Sequence, residues 1–393
     1  MQTTPNANRI HISFFGKTNV GKSSLINAIA NQTVSLVSEQ KGTTTDPVKK
    51  AIELHPIGPC LLIDTAGFDD NSILGTERIE LTKQVVEQTD IAIFLFGDSS
   101  FEEERQWITY LHDKNIPTVF VLNKSDIVDS SNLALVIETE FGKKPICVSA
   151  LHKENIDTLL KELQTISTTL EKEESICGHL VKPLDTVLLV MPQDIQAPKG
   201  RLILPQVQTI RDLLDHQCIV ISTTFEQYDQ ALESLNKPPK LIITDSQLFA
   251  QVFPKKPEES LLTSFSVLFS RHKGDIEEFI RGSQILDSLN EHSRVLIAEA
   301  CSHRPLKEDI GRVKLPRLLR KKIHPDLKID IVSGNDFPND LSPYDIIIHC
   351  GACMFNKKHV MNRVEQAVHS QIPITNYGIA IAKLNGILED IDY

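Results

Sequence analysis

Two short clusters hold the residues with the most directed chemistry, Cys301-Ser-His303 and His349-Cys350-Gly-Ala-Cys353. Thiolate sulfur and imidazole nitrogen are the ligands of zinc and of iron–sulfur clusters. Cys301 and His303 are two apart, so in extended chain both side chains leave on the same side. Cys350 and Cys353 are three apart, a spacing at which a tight turn brings two thiolates to one metal or cluster. The intervening stretch, Arg304 to Ile348, adds one soft ligand, His324, and no cysteine. A lone Cys-x-x-Cys is often chance or a redox pair, and a lone His is usually a satisfied surface or core group. Five candidates in two clusters point instead to a metal or iron–sulfur site.

Strands must deliver these clusters. Residues 295–298 read as a short buried strand that ends just before Cys301. Residues 346–348 read as another, running directly into His349-Cys350. Strands are also expected at 329–332 and 374–377, with helices at 276–289, 315–323, 356–369 and 379–388. Such alternation predicts a parallel sheet. In parallel sheets ligands gather beyond the carboxyl ends of strands, where both clusters fall.

A second chemistry lies near the start. Residues 9–15 alternate like a strand and run into Gly16-Lys-Thr-Asn-Val-Gly21-Lys22-Ser23, followed by an apolar periodic segment. Strand, glycine loop and helix form a P-loop, whose N–H groups cradle phosphates. Gly16, Asn19, Val20, Gly21, Lys22, Ser23 and Ser24 are its binding residues. Lys22 reaches the β- and γ-phosphate oxygens, and the Ser23 hydroxyl reaches magnesium. A strand pair at 52–54 and 60–63 ends in Asp64-Thr-Ala-Gly67. There Asp64 acts on magnesium through water, and the Gly67 N–H senses the γ-phosphate. Strands at 91–96 and 118–122 flank a helix at 102–114. The second leads to Asn123-Lys124-Ser125-Asp126. A carboxylate at Asp126 accepts two hydrogen bonds from guanine that adenine cannot offer. Asn123 and Lys124 brace the loop and cover the base, and the backbone at Ser149-Ala150 meets the guanine oxygen. A helix at 155–170 closes this domain.

The bulk numbers suit a globular protein. The 393 residues predict two or three domains. A net charge of −11 gives no overall basic surface for nucleic acid. No apolar run is long enough for a bilayer. Met1-Gln-Thr-Thr-Pro lacks a charged-then-apolar signal pattern, so the expected location is the cytoplasm. Clustered cysteines there are ligands rather than disulfides.

The order of nucleotide motifs resembles the translation-factor-like GTPases related to MnmE and Era. Gly42-Thr43-Thr44-Thr45-Asp46 resembles their switch I, with Thr44 a magnesium ligand and, with Lys22 and Gly67, a catalytic residue. The resemblance gives Asn19 a potassium ion that replaces an arginine finger, hence potassium-stimulated hydrolysis. After Gly67 comes Phe68 rather than Gln, so nothing there orients water, and slow turnover is expected.

Between the two chemistries, residues 186–244 alternate strand and helix without a nucleotide motif. This stretch includes Ala197-Pro-Lys-Gly-Arg-Leu-Ile-Leu-Pro205. That run, the GTPase motifs and the Cys-x-His…His-Cys-x-x-Cys clusters together resemble the FeFe-hydrogenase maturation GTPase family, HydF, over essentially the full length. The resemblance implies an α/β chain of three domains: a P-loop GTPase (1–172), a small αβ dimerisation domain (173–258) and an αβ iron–sulfur cluster-binding domain (259–393). It implies GTP/GDP as ligand and a 4Fe-4S cluster on Cys301, Cys350 and Cys353, with His303 and His349 as further candidate ligands. It implies a scaffold that carries the transient diiron subcluster. Its partners are radical-SAM maturases and apo FeFe-hydrogenase, and it assembles as a homodimer or tetramer. The alternative is an RNA-acting GTPase of the TrmE/Era type, in which the same cysteines and histidines hold structural zinc.

Overall fold

The computed structural model describes residues 4–32, 36–40, 47–69, 75–127, 130–170, 175–192, 202–300 and 309–393. The chain is α/β throughout and divides into two compact units, Met1–Glu173 and Glu174–Tyr393. Among the described residues no helix is long and apolar enough to cross a membrane.

Unit 1 begins β1 (Ile10–Gly16), α1 (Lys22–Gln32), β2 (Leu36–Gln40), β3 (Val48–Leu54) and β4 (Gly58–Asp64). It continues with α2 (Gly75–Val86), β5 (Ile91–Phe96), α3 (Glu102–Asp113) and β6 (Thr118–Leu122). It ends with α4 (Ser130–Phe141), β7 (Ile146–Cys147) and α5 (Ile156–Leu170). Its sheet runs β2-β3-β4-β1-β5-β6-β7. Only β3 runs opposite to the other strands, and it forms a hairpin with β4. Every residue of β5 is buried, and β1 is buried from His11 to Gly16. Continuous apolar runs of this kind belong to strands covered on both faces. Helix α5 covers one face with Ile156, Leu159, Leu160 and Leu163, an apolar stripe at helical spacing. Because β1 lies between β4 and β5, the strand order reverses there. The loop leaving β1 therefore opens at the crevice where such sheets bind ligands.

Unit 2 begins β8 (Thr186–Val190), α6 (Leu204–Asp215), β9 (Ile219–Thr223), α7 (Tyr228–Glu233) and β10 (Leu241–Thr244). Next come α8 (Phe249–Val252), β11 (Leu261–Ser264), α9 (Phe265–Lys273) and α10 (Ile276–Ser283). It ends with β12 (Arg294–Glu299), α11 (Leu315–Lys322), β13 (Lys328–Ser333), β14 (Ile346–His349), α12 (Lys357–His369), β15 (Ile374–Asn376) and α13 (Tyr377–Leu384). Two parallel sheets result, β11-β10-β8-β9 and β13-β12-β14-β15. The expected parallel sheet of the third segment is the second of these. Strand β11 lies past residue 258 and pairs with β10 in the middle sheet.

One hydrophobic core joins the two sheets of unit 2, with Leu188, Ile242 and Leu262 in the same cluster as Val295, Ile297 and Ile347. Helix α9 follows β11 without a loop. The Ser264 hydroxyl accepts the Val267 N–H at 3.2 Å and caps it. It buries Phe265, Val267, Leu268, Phe269 and, at its last position, Lys273.

Candidate functional site

The first site sits beyond β1. Gly16 and Gly21 have φ of +147° and +97°, conformations that favour glycine. At Gly21 a Cβ would run into the Asn123 amide, so only glycine lets that side chain reach the loop. Lys22 Nζ donates to the Gly16 and Lys17 carbonyls at 2.9 and 2.8 Å. Burial pulls this ammonium below its usual range, with Asp64 and Asp69 opposing. Ser23 Oγ donates to Asp64 Oδ2 at 2.5 Å. Burial raises the Asp64 carboxyl, against the Ser23 bond and the Lys22 charge. Its other oxygen, Oδ1, is buried without a hydrogen-bond partner. A buried carboxylate oxygen left over beside a serine hydroxyl suits a hard divalent cation such as magnesium.

The segment after β4 presses on the loop. A Cβ at Gly67 would lie 2.6 Å from the Thr18 nitrogen. The Thr18 N–H and hydroxyl donate to Asp69 Oδ1 at 2.6 and 2.8 Å. Phe68 is buried, stacked on Phe94 and Trp107 with ring centroids 5.8 and 5.9 Å apart. That side chain fills the core and cannot orient water.

At the far end of the cleft, Asn123 Nδ2 donates to the Val20 and Gly21 carbonyls at 3.3 and 3.4 Å, and its Oδ1 accepts the Ala150 N–H at 3.1 Å. Lys124 Nζ donates to the Asn19 carbonyl at 2.8 Å. The Ser149 hydroxyl donates to Asp126 Oδ1 at 2.7 Å, and this bond holds the Asp126 carboxyl below its usual range. A cleft of about 180 Å³ is lined by Lys17 to Val20, Asp69, Asn123 and Lys124, joining the two ends. Of the nucleotide residues expected from the sequence, Asn19, Val20, Asn123 and Lys124 line this cleft, and Gly21 and Ala150 are bonded to Asn123. Thr44 lies outside the described residues.

The second site lies at the end of β14. In the sheet β13-β12-β14-β15 the order reverses between β12 and β14, which again opens a crevice at the carboxyl ends. The turn Cys350-Gly-Ala-Cys353 starts there. Cys350 Sγ accepts the Ala300 N–H at 3.0 Å and the Ala352 N–H at 3.4 Å. Ala352 has φ +50°, a strained conformation for alanine that costs roughly 1–2 kcal/mol. It turns the Ala352 N–H back toward the sulfur. Burial pushes the Cys350 thiol up to about 11, although the two N–H groups favour the thiolate.

His349 is fully enclosed. Its Nε2 lies 3.0 Å from Arg363 Nη1 and its Nδ1 2.8 Å from the Cys350 carbonyl. A guanidinium only donates, so Nε2 accepts and Nδ1 carries the proton. Burial and the Arg363 charge push the imidazole down to about 3, so it stays neutral. As a metal ligand through Nε2 it would have to give up Arg363. Asn376 Nδ2 also reaches the Cys350 carbonyl, at 3.2 Å. Its Oδ1 accepts from Ser266 Oγ at 2.9 Å and the Gly378 N–H at 2.8 Å.

Cys350 and Cys353 thus share one turn at the expected strand end, whereas Cys301 and His303 lie outside the described residues. Among the described residues no group of three or more His, Cys, Asp or Glu is placed to hold a metal ion. Three side chains around the turn escaped the sequence reading: Lys273, Arg363 and Asn376. Lys273 Nζ donates to the Phe355 carbonyl at 2.8 Å and the Ala352 carbonyl at 3.4 Å. Burial lowers its ammonium to about 8, opposed by Cys353 and Cys350. In sequence Lys273 ends a polar Ser-Arg-His-Lys run, which gives no sign that it is buried.

Comparison with known proteins follows the same division. Residues 11–124 match the model of the 50S ribosome-binding GTPase family. The curated relatives include tRNA modification GTPase MnmE of Endomicrobium trichonymphae, 35% identical over 173 residues, 42% of this chain and 37% of that protein. GTPase Der of Thermotoga sp. (strain RQ2) is 32% identical over 166 residues, 40% of this chain and 36% of that protein. The chain thus spans little more than a third of the length of these relatives. A solved structure of Aquifex aeolicus Era bound to GDP·AlF4⁻ aligns with 55% of this chain and 92% of that one, at 20% identity and a TM-score of 0.34. Residues 176–274 match the hydrogen maturase F dimerization domain, and residues 277–391 match the tetramerization domain. The stretch expected to bind the cluster is therefore also one with an assembly role. Those two models leave only a two-residue gap between them and together cover more than half of the chain. With a P-loop GTPase domain ahead of them, the chain belongs to the hydrogen maturase F family.

Proposed function

We propose that this protein is a GTPase that holds an iron–sulfur cluster and serves the maturation of FeFe-hydrogenase as a scaffold and carrier of its diiron subcluster. One observation carries the cluster reading. Cys350 sulfur takes N–H bonds from both Ala352, in its own turn, and Ala300, at the end of β12. Cys301 is the next residue in sequence after Ala300. Soft sulfur donors supported by backbone N–H groups are what an iron–sulfur cluster takes. Cys301, Cys350 and Cys353 would hold it, with His303 or His349 as further candidate ligands. Three thiolates leave one iron of a 4Fe-4S cluster open to an outside ligand, which is the position an assembling diiron subcluster can use. Radical-SAM maturases that load the chain and apo-hydrogenase that receives the cargo are the proposed partners, and the cytoplasm is the proposed location. The test is iron and sulfide analysis with EPR on protein purified without oxygen. Brown protein with iron and sulfide is expected, whereas colourless protein containing zinc overturns the cluster reading.

In the GTPase domain, Asp126 selects guanine, Lys22 holds the phosphates, and Ser23, Thr44 and Asp64 place magnesium. Gly67 meets the γ-phosphate through its N–H. Asn19 has φ +61° and an exposed side chain beside the cleft, and is assigned a potassium ion. GTP hydrolysis is expected to run at least about tenfold faster in potassium than in sodium, since one electrostatic stabiliser of the transition state is worth that or more. Asn19→Ala is expected to level the two rates. Equal rates in the unaltered protein remove this role from Asn19.

A further inference from the structure

We propose that Lys273 and Arg363 are built-in countercharges for the sulfur site, and that Lys273 sets how readily a cluster bound there accepts an electron. This rests on the iron–sulfur reading above.

A buried cation normally has an anion beside it, because isolated charge is costly to remove from water. Among the described residues the other buried lysines and arginines obey the rule or belong to the P-loop. Lys17 lies 3.0 Å from Glu104, Arg9 lies 3.5 Å from Glu53, and Lys22 belongs to the P-loop. Lys273 and Arg363 are each 4% exposed, and neither reaches a carboxylate among the described residues. Among the described residues the Lys273 ammonium bonds two carbonyls, both from the turn that carries Cys353 or the residues just after it, and lies 5.9 Å from the Phe269 ring centre. The Arg363 guanidinium contacts His349 and the Gly334 carbonyl and lies 4.7 Å from the ring centres of both Phe337 and Phe355. Its Nε is buried without a partner.

Both unpaired cations flank the same turn, from α9 on one side and α12 on the other. Among the described residues, the turn holds the groups beside them that become negative when a metal or cluster binds, the Cys350 and Cys353 sulfurs. Reduction adds one further electron, and so one further negative charge, to a bound cluster. A fixed positive charge in a low-dielectric surround favours that reduced state. Lys273 is therefore a positioning and charge-balancing residue. It holds the turn by two hydrogen bonds and offsets its charge.

Lys273→Gln keeps a donor for the carbonyls and removes the charge, whereas Lys273→Arg keeps the charge. The full-length chain is reconstituted with iron and sulfide, and EPR-monitored redox titration gives the midpoint potential. Lys273→Gln is expected to shift the potential to more negative values, with Lys273→Arg close to the unaltered protein. Arg363→Gln reads the same quantity should Lys273→Gln fail to fold, as judged by near-UV circular dichroism. Equal potentials in the unaltered protein and the neutral variants overturn the countercharge. Failure of the unaltered chain to take up iron overturns the underlying cluster reading instead.

Discussion

Cys350→Ser and Cys353→Ser are each expected to bring the iron and sulfide of the anaerobically purified protein close to background, and to end activation of apo-hydrogenase. A serine hydroxyl keeps its proton at neutral pH and is a hard donor, so it is a poor substitute for thiolate on iron. The surroundings offer little replacement. His349 already uses both ring nitrogens, on Arg363 and on the Cys350 carbonyl. The loss should be larger than at most single ligand sites, because a cluster with one open iron has no spare protein thiolate. Iron and sulfide assay with EPR reads the first effect, and a maturation assay with apo-hydrogenase reads the second. Nucleotide binding by the first unit reports that each variant has folded. Full iron content in the double variant would sink the cluster assignment.

Asp126→Asn should exchange the nucleotide preference. The Asp126 carboxyl is held below its usual range by the Ser149 hydroxyl, so it is ionised at neutral pH and only accepts hydrogen bonds. Guanine offers it two donors. Asparagine turns one acceptor into an amine that faces a donor of the base, and leaves an unpaired polar group. GTP affinity is expected to fall on the order of a hundredfold or more, as lost hydrogen bonds to a charged group imply. Xanthine carries an oxygen where guanine carries its amine, so xanthosine triphosphate should bind the variant better than GTP does. Titration with fluorescent analogues of both nucleotides checks this. An unchanged GTP affinity would mean that the base is read elsewhere.

Much of this architecture was legible in the sequence, for physical reasons that differ by element. Strands β5 and β6 were read to the residue because buried parallel strands are short unbroken apolar runs. The P-loop and Asp126 loops were legible because phosphate and base chemistry fix residue types at fixed spacings. Helix α4 escaped because exposed Leu135 and Val136 blur its apolar stripe. Helix α9 carries no readable period, since packing on nearly every side buries residues all round it. The setting of the sulfur turn was the least legible part. Lys273 reaches Ala352 across 79 positions of sequence, and Ser266 reaches Asn376 across 110. No local pattern encodes such pairings.

Helix α9 touches that turn by two routes. Near its start Ser266 holds Asn376, which holds the Cys350 carbonyl, and at its end Lys273 holds the Ala352 and Phe355 carbonyls. The helix itself falls within the dimerization segment, while the turn falls within the tetramerization segment. One helix of the dimerization segment thus fastens a turn of the tetramerization segment at two points, so a displacement of that helix would be felt in the backbone at Cys350 and Ala352.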